Sequence, residues 1–100
     1  MRIVAYGKLR DYWMRHPQAE VGLRHWFALV LAGDWQTTLE VVGGIGGSKA
    51  LSGDRVRFAI QGGAYRLIAS FDFRRGIAYV KFIGTHAEYD RVDALTVTQF

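Results

Sequence analysis

The sequence predicts a small α+β domain: two N-terminal helices packed on one face of a small antiparallel sheet. Three observations carry this. Helical spacing of apolar residues is confined to the first third of the chain, a period of two governs residues 54–83, and 100 residues leave room for one core. Residues 2–6 can form a short strand that joins the sheet. Residues 7–15 read as a helix, with Leu9, Tyr12 and Trp13 at i, i+3 and i+4, and His16-Pro17 ends it because a residue before proline avoids the α region. Gln18 to Ala32 reads as a second helix whose apolar stripe is Ala19, Leu23, Trp26, Phe27 and Val30, stopped by Gly33. Trp13 and Trp26 lie on these stripes and are expected in the core, whereas Trp35 covers the core edge or meets a partner. Thr37 to Glu40 can start a brief helical turn, with Thr37 as cap and Glu40 as its capping-box partner. Gly43 to Gly53 reads as a flexible linker.

The second half is a three-stranded meander. Residues 54–60, 65–73 and 77–83 alternate, and Gln61 to Ala64 and Arg74 to Gly76 are turn-like. Turns centred there set Ile60 against Tyr65, Phe58 against Leu67 and Val56 against Ala69, with Phe71 and Phe73 beside Ala78, Val80 and Phe82. That face is apolar and must meet the helices; a one-residue slip would bury the other face, so the register is fixed. The other face carries Arg55, Arg57, Arg66, Ile68, Ser70, Asp72, Tyr79 and Lys81. On its own this is either a solvated sheet face or a polyanion site.

Composition narrows the function classes. Thirteen Lys and Arg against nine Asp and Glu give a net charge of +4, and 14% of residues are aromatic, a combination that suits nucleic acid. The absence of cysteine excludes disulfides, thiolate chemistry and cysteine-held zinc, and fits a reducing compartment. No apolar run is long enough to span a membrane, and the first residues lack a signal-peptide pattern, so the chain reads as cytoplasmic with no membrane partner. His16 and His25 have no carboxylates at ligand spacing, so no metal or other cofactor is expected, and Gly43 to Lys49 lacks the order of a phosphate-binding loop.

Chemistry concentrates after the last strand, in Gly84-Thr85-His86-Ala87-Glu88-Tyr89-Asp90-Arg91. In the assumed register Ile83 faces Arg66, so His86 leaves the strand within reach of Arg66. Imidazole suits proton transfer near neutrality, and guanidinium suits a phosphate gaining charge. Without metal or cysteine, that set fits RNA strand scission: a base takes the ribose 2′ proton, the 2′ oxygen attacks the adjacent phosphate, and an acid protonates the departing 5′ oxygen. The bland alternatives are a hydrogen-bonding turn histidine for His86, packing for Tyr89, and local ion pairing for Glu88 and Asp90.

That C-terminal run after a basic strand resembles the ending of the HigB family, ribosome-associated messenger-RNA endonuclease toxins of the RelE-like fold. Met1-Arg2-Ile3, Leu9 to Trp13, His16-Pro17, Ala19-Glu20, Leu23-Arg24, Trp26, Asp34-Trp35, Arg55 to Ile60, Tyr65-Arg66-Leu67 and Arg75 to Val80 agree in order, over roughly residues 1–95. The resemblance implies one RelE-like domain over residues 1–100 and a metal-independent endoribonuclease acting on mRNA at the ribosome. It also implies a helix-turn-helix, HigA-like antitoxin partner, with operator DNA reached only through it. It makes Arg66 the contact to the scissile phosphate and His86 a catalytic histidine. Tyr89 becomes a base-stacking or proton-relay residue, and Lys81, Arg55 and Arg57 hold RNA backbone. This sequence has Ala59 where relatives often carry asparagine, and Gly63-Ala64 where they carry Asn-Lys; Lys49 is the candidate substitute cation. The readings from other classes are a non-catalytic RNA- or ribosome-binding module, and a protein that acts only as a co-repressor with its antitoxin.

Overall fold

In the computed structural model, which describes residues 1–100, the sheet has five strands rather than three or four. In chain order the elements are β1 (Arg2–Val4), α1 (Tyr6–Arg15), a 3-10 turn (Pro17–Ala19) and α2 (Glu20–Leu31). Then come α3 (Thr38–Gly44), β2 (Ser48–Ala50), β3 (Arg55–Ile60), a 3-10 turn (Gln61–Gly63), β4 (Tyr65–Asp72), β5 (Ile77–Thr85) and α4 (His86–Tyr89). The spatial order is β1-β5-β4-β3-β2. β1 runs parallel to β5, with Arg2 beside Ile77 and Val4 beside Tyr79; the other pairings are antiparallel, so the sheet is mixed. No helix is long and apolar enough to cross a membrane.

The predicted helix stripes are the core. Leu9, Tyr12 and Trp13 of α1, and Leu23, Trp26 and Val30 of α2 with Ala19 before it, are buried against Val56, Phe58, Ile60, Leu67, Ala69, Phe71, Ala78, Val80 and Ile83. Burying each large side chain contributes about 1.5–3 kcal/mol, so this face holds the helices. Trp35 is half-buried at the edge of that core, its ring lying over Gly33 and Gly44, where a Cβ would collide with it or press on it.

The Gly43–Gly53 linker reading is corrected. Thr37 caps α3, its Oγ1 accepting from the Glu40 N–H at 3.2 Å, and α3 runs on through Gly43 and Gly44 because Val41 and Ile45 are drawn into the core. The chain then forms β2, setting Ser48 opposite Phe58 and Lys49 opposite Arg57.

The β3–β4 register is the predicted one: Ile60 with Tyr65, Phe58 with Leu67, Val56 with Ala69. The β4–β5 register is not. Ala69 pairs with Val80 but Ile68 pairs with Phe82, so Lys81 is an extra residue, a bulge that reverses the alternation. Ile83 therefore faces the helices opposite Leu67, Arg66 faces Gly84 rather than Ile83, and Phe82 is turned to the other face beside Ile68. Ile68 and Phe82 are buried there, 0% and 4% exposed.

Tyr89 of α4 packs on Phe82, and residues beyond α4 bond to the same side of the sheet. The Arg55 guanidinium donates from Nη1 to the carbonyls of Ala94 (3.1 Å) and Val97 (2.8 Å). The Gln99 N–H donates to Lys81 O at 2.9 Å, and Gln99 Oε1 accepts from the Ile83 N–H at 2.8 Å. Residues 93–99 thus run as a strap from Arg55 to the backbone of β5, and the Phe100 ring ends 5.9 Å from Lys8 Nζ of α1.

Candidate functional site

The site is built where β4 and β5 end together. Tyr65 pairs with Thr85 and Arg66 with Gly84, so the strand that carries Arg66 and the strand that delivers His86 finish side by side. The turn to α4 is fixed by a capping box. Thr85 Oγ1 accepts from the Glu88 N–H at 3.1 Å, and Glu88 Oε1 accepts from the Thr85 N–H at 2.8 Å. These bonds, the Thr85 N–H first, hold the Glu88 carboxyl below the usual carboxylate range, helped by His16 and Arg91 nearby.

His86 is the first residue of α4. Its N–H donates to Ala64 O at 3.1 Å, which ties it to the β3–β4 turn, and its Nδ1 lies 3.1 Å from Asp90 Oδ2. The imidazole is more than half exposed and its Nε2 has no protein partner, so it faces solvent with one nitrogen engaged and the other free. Arg66 lies half-buried on the face away from the helices, with its Nη1 turned back to the carbonyls of Gly63 and Tyr65. Gly63 has φ 96°, a backbone position that suits glycine, and a Cβ there would come within 3.1 Å of Arg66 Nη1.

The remaining predicted residues fall in three places. Tyr89 ends α4 and sets its ring against Phe82, centroids 6.2 Å apart at 61°. Lys81 is the bulge residue, its Nζ 5.6 Å from the Tyr79 ring centre. Lys49, exposed, stands opposite Arg57, and with Ile68 and Phe82 they form one row across β2, β3, β4 and β5. Arg55 is the exception: it is 8% exposed, and its guanidinium is spent on the strap carbonyls. His86, Arg66 and Tyr89 are thus gathered at one sheet end, Lys49, Arg57 and Lys81 lie along the adjoining face, and Arg55 serves the fold.

The sequence reading missed three features. The Asp90 contact to His86 was legible in their i, i+4 spacing. The second is an aromatic group on the helix side of the same sheet end: His16 stacks on Tyr12 at 4.2 Å and 23°, and Tyr65 meets both rings edge-on. The third is a cavity of about 450 Å³ between α2 and the β3–β4 turn, lined by Val21, His25, Trp26, Leu29, Gln61 and Gly62 among others; it holds none of the predicted site residues. No cluster of three His, Cys, Asp or Glu side chains is placed to hold a metal ion.

A model of the HigB toxin family, described as the RelE-like toxic component of a toxin–antitoxin system, matches residues 19–92. The chain belongs to that family, whose members work with an antitoxin partner. No curated protein matches it.

Proposed function

We propose that the protein is a cytoplasmic endoribonuclease that stops translation by cutting mRNA on the ribosome, and that a helix-turn-helix antitoxin neutralises it and carries it to operator DNA. The observation that carries this reading is His86: an exposed imidazole at the head of α4, braced by Asp90 at 3.1 Å, beside the strand end that bears Arg66. His86 Nε2 takes the proton from the ribose 2′-OH or returns one to the departing 5′ oxygen. Arg66 turns from the Gly63 carbonyl onto the phosphate and stabilises the charge that develops there. Tyr89, next to His86 on α4, lies within the same site as a proton-relay or stacking group. Lys49, Arg57 and Lys81 supply phosphate contacts along the adjoining face. The site is open and shallow, and the ribosome supplies what it lacks by presenting the message in a fixed position.

Inducing the chain in a bacterium, with His86→Ala and Arg66→Ala beside it, tests the reading. Wild type is expected to stop growth and leave new message 5′ ends that both variants fail to produce while remaining folded. Growth arrest without cuts would replace the nuclease by a binding protein that blocks translation.

A further inference from the structure

We propose that Tyr65 and His16 form a stacking platform for one nucleobase of the RNA, which folds over the sheet end from the phosphate held at Arg66 and His86. The proposal rests on RNA being the substrate.

Its first ground is placement. Tyr65 immediately precedes Arg66, and its cross-strand partner Thr85 immediately precedes His86. Successive strand residues point to opposite faces, so Tyr65 lies on the helix side of the strand end whose other side carries Arg66. A nucleotide with its phosphate at Arg66 has this ring directly across the edge.

The second ground is rigidity with partial exposure. Tyr65 and His16 are half-buried, their ring centroids 6.3 Å apart at 64°. Beneath them Tyr12, 6% exposed, stacks on His16 and meets Tyr65 at 6.0 Å and 85°. His16 is held where α1 ends, its N–H donating to Tyr12 O at 2.8 Å. Two aromatic rings fixed from below and open to solvent lose little freedom when a base stacks on them, and RNA readers use Tyr and His in this way.

The third ground is charge. Glu88 of α4 carries a carboxylate that acts on both His16 and Tyr12. A carboxylate there repels phosphate, and although Arg15 also acts on Tyr12, the row of Lys49, Arg57, Arg66 and Lys81 lies on the other face. The backbone belongs with Arg66, and an uncharged base belongs with the rings.

The test uses a short RNA methylated at every 2′ oxygen, hence uncleavable, offered to the full chain both free and in the ribosomal A site. Tyr65→Leu and His16→Ala are each expected to weaken binding by about 5- to 150-fold without changing the salt slope. Tyr65→Phe, which keeps the ring, should bind as wild type. An RNA lacking the stacked base should bind wild type as weakly as intact RNA binds Tyr65→Leu, and that comparison needs no variant to fold. If both ring variants bind as wild type while Arg66→Ala is weakened, the platform is overturned and the RNA reading stands. If wild type binds the RNA in neither presentation, the RNA reading falls and takes the platform with it.

Discussion

The Tyr12 hydroxyl is buried without a hydrogen-bond partner, and burial, with Glu88 and Tyr65 nearby, pushes its pKa up to about 12. Two outcomes follow. Titrating the five tyrosines by ultraviolet absorbance should leave one phenol un-ionised until about pH 12. The folded pKa exceeds the unfolded value of about 10, so this contribution to stability is complete below pH 10 and lost as pH rises through 12. Tyr12→Phe removes an unpaired hydroxyl and keeps the ring, so thermal unfolding should show stability unchanged or raised by on the order of 1 kcal/mol. A clear loss would mean that the hydroxyl has a partner. His86 and Arg66 were readable as candidate groups because few residue types transfer protons near neutrality or hold phosphate. Tyr65 and His16 were not, because aromatics at strand and helix ends read as packing until the fold brings them together.

Among the elements, β5 departs most from its sequence pattern. The run Ile77 to Ile83 alternates without a break, and nothing local distinguishes Phe82 turned toward the helices from Phe82 turned away. The Lys81 bulge decides it, and what makes the bulge tolerable lies elsewhere: the strap that covers Phe82's side of the sheet. The strap was half legible: Leu95 to Phe100 alternates, which fits an ordered tail over the core as well as an unstructured end, while an arginine on an outer face reads as solvated. Arg55→Ala removes a charged donor from two carbonyls and should cost about 1–3 kcal/mol in chemical denaturation. It should also raise proteolysis of residues 93–100. Unchanged stability would make the strap ornamental. By contrast the β3–β4 pairing was readable, because one turn and one apolar face determine the register between them.

At the scale of the whole molecule, the net charge is +4. Lys49, Arg57, Arg66 and Lys81 remain to meet a polyanion once Arg55 is committed to the strap. Single-stranded RNA should therefore bind with a slope of log affinity against log salt of roughly −3, at about 0.7 per phosphate neutralised. Lys49→Ala should flatten the slope, and Arg55→Ala should leave it unchanged. Acid should unfold the protein through its fixed carboxylates. Asp54, held low by the hydroxyls of Ser70 and Ser52, and Glu88, held low by Thr85, contribute stability above their unfolded pKa values of about 4. That contribution disappears as pH falls through their folded values, and Ser70→Ala should shrink the acid transition measured by circular dichroism. The strand order has a further consequence. Arg2 finds its neighbour only in Ile77, and the strap closes over β5 later still. During synthesis the first strand must wait until β5 has left the ribosome. A nascent copy thus lacks the paired end of β4 and β5, and with it the setting of His86 and Arg66, until β5 has emerged.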